Sequence, residues 1–96
     1  MINIAIEPHR LTVRGHARAA DGPLWREVCA AVTTLATTLA DNLDAQGVLY
    51  RVRTVAAGDV DLLWETGGED ALTVVGHGLR HLARDYAQYI NLEGKA

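Results

Sequence analysis

The sequence predicts an α+β fold, a two-layer sandwich in which a mostly antiparallel sheet is covered by two helices, in the order ββαββα(β). Three observations predict it. Ile2, Ile4 and Ile6 alternate with Asn3, Ala5 and Glu7, the two-residue period of a half-buried strand. Two later stretches carry apolar residues at intervals of three and four, the period of a helix buried on one side. Between them lie two β-type runs joined by a short Gly-containing turn.

Each element follows in order. Pro8-His9-Arg10 is a turn, after which Leu11 and Val13 resume the alternation, so residues 11–17 pair back on the first strand as a hairpin. Thr12, Arg14 and His16 then share the opposite face, and Gly15 permits a bulge beside His16. Residues 18–22 have no period. Asp21-Gly22-Pro23 reads as a helix entry with proline in the first turn. Leu24, Val28, Val32, Leu35, Leu39 and Leu43 form the first helical stripe, which Gln46-Gly47 ends. Val48 to Val55 and Val60 to Glu65 are strands joined by residues 56–59, with Tyr50 and Trp64 at positions expected to be exposed. Thr66 to Asp70 leads into a second helix, whose stripe is Leu72, Val75, Leu79, Leu82, Tyr86 and Tyr89 or Ile90. Ile90 to Leu92 supplies a short edge strand.

With 96 residues the chain makes a single domain spanning 1–96. It has no Phe and one Met, so Leu, Val, Ile and Ala must build the core. A formal charge of −3 argues against nucleic acid as partner, since phosphate binding requires a basic surface. No apolar run approaches the roughly 20 residues of a membrane span. The opening MINIAIE lacks the basic-then-apolar layout of a signal peptide, and an unpaired cysteine fits a reducing compartment. A cytoplasmic protein is expected.

The chemistry centres on Cys29, the lone cysteine. It has no partner for an internal disulfide and is too few to hold zinc. Most free cysteines are small buried hydrophobes. Cys29, however, lies near a helix start, where the dipole favours a thiolate, and about 90° from the centre of the apolar stripe. Thr33 follows one turn later on the same side. Small Ala30 and Ala31 leave backbone amides uncovered, and amides at a helix start can stabilise an oxyanion. His16 is the candidate base, separated from Cys29 by a loop that permits the two to meet. His77 and His81 have i, i+4 spacing, but HGLRH lacks the Glu of HExxH and both fall opposite the stripe, so a solvated face is the better reading. No metal or organic cofactor is expected.

Gly15-His16-Ala17 and Val28-Cys29-Ala30-Ala31 resemble the motifs of the ribosomal-processing cysteine proteases, the Prp family. Its members carry GHA on the second strand, then a flexible loop, then a D-x-VCA(A/G)xS-like helix start. Thr33 stands at the usual Ser position, and element order and length agree over nearly the whole chain. The resemblance implies a homodimeric cysteine endopeptidase with a His16–Cys29 dyad and a loop over residues 18–26 that closes on peptide. It also implies the substrate: a short N-terminal extension of a ribosomal protein, or a capsid or scaffold precursor in phage relatives. Two departures stand out. Arg26 occupies the position of the familiar Asp, leaving Glu27 or Asp21 to orient the histidine, and the His-to-Cys interval is one residue longer. The rival reading is a non-catalytic module of the same fold that binds a ribosomal or capsid partner.

Overall fold

The computed structural model describes residues 1–93. Strands β1 (Ile2–Glu7) and β2 (Arg10–Arg14) form the first hairpin. A 3-10 turn over Ala19–Asp21 precedes helix α1 (Trp25–Gln46). Strands β3 (Tyr50–Ala56) and β4 (Asp59–Trp64) form the second hairpin, followed by α2 (Glu69–Asp85) and β5 (Ile90–Glu93). The sheet order is β3-β4-β2-β1-β5. Every pairing is antiparallel except β1 with β5, which run parallel because α2 crosses over between the second hairpin and the last strand. The expected α+β sandwich is the observed one.

Alternation sends Ile2, Ile4, Leu11, Val13, Val60, Leu62 and Trp64 to one side of the sheet, all buried. Against them pack Val28, Val32, Ala36, Leu39, Ala40 and Leu43 of α1 and Val75 and Leu79 of α2. Each fully buried Leu or Val contributes about 1.5–3 kcal/mol. That burial, rather than intrinsic propensity, makes α1 a helix, because its outer side is rich in β-branched threonine. Thr34 and Thr38 hydroxyls donate back to the carbonyls of Ala30 (2.8 Å) and Thr34 (2.7 Å), so they add no unpaired polar groups. On the opposite side of the sheet Asp61 is only 8% exposed, covered by Arg10 (2.9 and 3.2 Å) and Arg14 (3.4 Å). Among the described residues no helix is long and apolar enough to cross a membrane.

Four expectations need correction. β2 stops at Arg14 rather than reaching residue 17, because Gly15 adopts φ 88° and donates its N–H to Gly58 O (3.0 Å). The chain turns there, and His16 leaves the sheet. The helix begins at Trp25, since the 3-10 turn consumes the residues expected to start it, and Leu24 caps the helix half in solvent instead of joining the buried stripe. Trp64 is buried, not exposed: it faces the helices, edge-on to His9, with its indole N–H donating to Gly67 O (2.7 Å). Finally α2 ends at Asp85, so Tyr89 reaches the core from the turn before β5 rather than from the helical stripe.

Candidate active site

His16 and Cys29 are brought together at one end of the sandwich. The turn at Gly15 carries His16 off the edge of β2, while the second turn of α1 carries Cys29 toward it. Cys29 is half-buried, and its Sγ lies 3.7 Å from the carbonyl oxygen of Ala17, the residue next to His16. The two side chains line a common groove of about 450 Å³ together with Arg18, Trp25 and Arg26. They also line a smaller recess of about 70 Å³, whose other walls include Gly15, Thr33, Val13 and Gly58. His16 and Cys29 are the residues these two concavities share, so the pair stands on the ridge between them.

What seats the imidazole is not visible in local sequence. Gly58, in the β3–β4 turn, packs against the His16 ring. A Cβ there would overlap Nε2 and Cε1, and the backbone has φ 72°, which favours glycine independently. From the sequence Gly58 is simply a hairpin glycine. Its second role depends on the long-range pairing of β2 with β4, which local patterning does not reveal.

The expected supporting residues divide. Thr33 and Gly15 are in the small recess with the pair. Ala30 is on the exposed side of α1. Because the helix starts four residues before Cys29, the amides of Cys29 and Ala30 belong to its hydrogen-bonded interior. The amides left without intrahelical partners are those of the first turn, Trp25 to Glu27. Glu27 points into a separate cleft between the helices, beside Leu82 and Tyr86. Asp21 accepts from the Met1 ammonium (3.0 Å) and from the Arg18 backbone N–H (2.9 Å). The Arg18 amide, and then the ammonium, hold its carboxyl below the usual range. Asp21 therefore fastens the loop, with no bond to the His16 ring.

That loop is tied down more firmly than a free lid. Gln88 Nε2 donates to Asp21 O (2.8 Å), and the Leu24 N–H donates to the Tyr89 hydroxyl (2.9 Å). The Met1 ammonium also donates to His16 O (2.7 Å). On α2, His77 and His81 are exposed, and His81 Nδ1 is 2.6 Å from the Arg84 guanidinium. Among the described residues no group of three or more His, Cys, Asp or Glu converges as metal ligands would.

The architecture defines a class of small mixed-sheet α+β domains with a groove at the start of the first helix. A solved structure shares this fold: the essential ribosomal processing protease Prp from S. aureus, in complex with a covalently linked product peptide. The two superpose with a TM-score of 0.67, covering 98% of this chain and 97% of that one, at 15% sequence identity. At that identity the likeness establishes the fold. No protein-family model matches the chain, and no curated protein matches it.

Proposed function

We propose that this chain is a Prp-type cysteine endopeptidase with Cys29 as nucleophile and His16 as base. Its substrate is a short N-terminal extension of a ribosomal protein or of a phage capsid or scaffold precursor. The observation that carries the reading is the shared position of His16 and Cys29 between the groove and the recess. A peptide lying along both would cross the thiol. The fold's likeness to a protease that holds a covalently linked product peptide supports the same reading.

In this mechanism His16 takes the thiol proton as Sγ attacks the scissile carbonyl carbon. The resulting oxyanion is stabilised by free amides of the first α1 turn. Collapse of the tetrahedral intermediate expels the amine, which takes its proton from the imidazolium and leaves a thioester on Cys29. Water, deprotonated by His16, then hydrolyses the thioester and restores the thiol. Before attack the S–H must turn from Ala17 O toward the imidazole. The homodimer belongs to the same proposal and rests on the family resemblance. Light scattering at tens of micromolar tests it, with a dimer expected.

Incubating wild type and Cys29→Ser with ribosomal and capsid-type precursors, followed by mass spectrometry, tests the activity. Wild type should release the N-terminal segment, and Cys29→Ser should bind the precursor without cutting it. His16→Ala should slow alkylation of Cys29 by iodoacetamide at mildly acid pH. The non-catalytic alternative has one observation in its favour: Asp21 and Glu27 both point elsewhere, and Arg26 replaces the acid that would orient the histidine. Wild type that binds a precursor as tightly as Cys29→Ser, and cuts none, would establish that alternative.

A further inference from the structure

Most arginines of this chain are engaged with carboxylates. Arg10 and Arg14 clamp Asp61 and Asp59, Arg51 pairs with Glu65, Arg53 with Asp44 and Arg84 with Asp85. Arg18, Arg26 and Arg80 are different, and of these Arg18 and Arg26 lie together at the candidate site. Both line the groove beside Cys29, and among the described residues neither has a carboxylate partner. The acids nearest in sequence bond neither guanidinium, and Asp21 feels that of Arg18 only as a nearby charge. Asp21 is bonded to the Met1 ammonium and the Arg18 backbone, and Glu27 opens on the cleft between the helices. Among the described residues no Asp or Glu lines the groove. In a chain of net charge −3, the floor beside the thiol is thus locally positive.

The Arg26 guanidinium lies 4.4 Å from the centre of the Trp25 ring. This cation–π contact holds the group in place and leaves its edge N–H donors free, an arrangement that fits a planar carboxylate. We infer that the groove selects an acidic peptide, and that Arg18 and Arg26 are specificity residues for Asp or Glu next to the bond presented to Cys29. The placement next to that bond rests on the protease reading. The charge preference itself is a property of binding and is measured without catalysis.

Cys29→Ser protein is immobilised, exposed to a degenerate decapeptide mixture at low salt and again at half-molar salt, and the retained peptides are sequenced by mass spectrometry. Asp and Glu should be enriched about three- to fivefold over Asn and Gln at low salt, the size two solvent-screened charge pairs supply. High salt should reduce the enrichment. The Arg18→Gln/Arg26→Gln double variant should lose it, whereas Arg80→Gln/Arg84→Gln, which removes the same charge from α2, should retain it. Circular dichroism checks that each variant is folded. A retained pool with no acidic enrichment, or one that keeps its enrichment in the groove variant, overturns the inference, and so does the absence of any retained peptide. Failure of the protease reading shows separately, as wild type that cuts no precursor while the acidic selection persists.

Discussion

The two ends of α1 are built on opposite plans. At the C-terminal end Gly47 turns left-handed (φ 70°) and its N–H closes on Asp44 O (3.1 Å). The Asp44 side chain, which would oppose the helix dipole if left alone, takes two bonds from Arg53 (2.7 and 3.1 Å) and one from the Tyr50 hydroxyl (2.6 Å). At the N-terminal end no side chain of the helix caps it. The Leu24 amide relies on Tyr89, some sixty residues away in sequence, and the thiol has only a 3.7 Å contact with a carbonyl. One end is closed by its own neighbours. The other leaves first-turn amides, two guanidiniums and a sulfur lightly engaged, as the proposed protease reading requires.

The largest expected effect compares a glycine near each end. At Gly58 a Cβ would occupy the space of the His16 ring, whereas at Gly47 it would meet nothing within 4 Å. Both have positive φ, so either alanine variant should lose about 1–2 kcal/mol from the left-handed backbone alone. Only Gly58→Ala should also displace the imidazole. With His16 as the proposed base, its displacement should cost on the order of 10²-fold in rate. The expected outcome is therefore similar thermal destabilisation of the two variants, with precursor cleavage and Cys29 alkylation falling in Gly58→Ala alone. Equal chemistry in both variants would show that the ring does not need its glycine seat.

A smaller effect is expected at the borrowed cap. Tyr89 is 2% exposed, and its hydroxyl is the partner of the Leu24 N–H. Tyr89→Phe keeps the ring and leaves that amide unpaired, a loss of about 1–2 kcal/mol. Thermal unfolding should register it. Amide exchange should accelerate at Leu24 and in the first turn of α1, while the turn at Gly47 stays protected. Uniform acceleration along the helix would mean that its two ends are not independent.

How much of this was legible in the sequence follows from the range of each interaction. The period-two alternation of Ile2 to Ile6 and the stripes of Val28 to Leu43 and Val75 to Leu79 are local, and they gave the elements, the fold class and the phase of Cys29. That His16 and Cys29 line one groove was legible as a motif, because a short loop joins its two halves. The burial of Trp64 needs no long-range information, since it shares the inward phase of Val60 and Leu62 on β4, whereas the bulge between Tyr50 and Val52 on β3 shows only in the register with β4. The seat at Gly58 and the cap from Tyr89 join residues more than forty apart. The arginine pairs were equally hidden, since sequence shows the charges but not which of them are already satisfied.

The smallest expected effect lies at the closed end and tests whether it is held by charge. The hydrogen bonds from Arg53, and then from Tyr50, keep the Asp44 carboxyl below its ordinary range. A depressed acid stabilises the fold above its unfolded pKa and loses that contribution as pH falls through the folded value. Asp44→Asn keeps an acceptor for Tyr50 and removes the charge that Arg53 reads. At neutral pH it should lower the melting temperature slightly, less than Tyr89→Phe does, because the pair is exposed and screened. In strong acid, where Asp44 is protonated in both states, wild type and variant should converge. Tyr50 supplies a second readout at the alkaline side. Burial, and then Asp44, pushes its hydroxyl up to about 12. For this raised group the sign is reversed: the stabilisation is complete below its unfolded pKa and disappears as pH rises through the folded one. In difference titrations at 295 nm against Tyr50→Phe, the Asp44→Asn variant should show the phenolate step moved down, but short of the free value, because burial remains. A step that stays where wild type has it, with a melting difference that ignores pH, would mean Asp44 carries no effective charge in the fold, and the closed end would then be held by Gly47 and core packing alone.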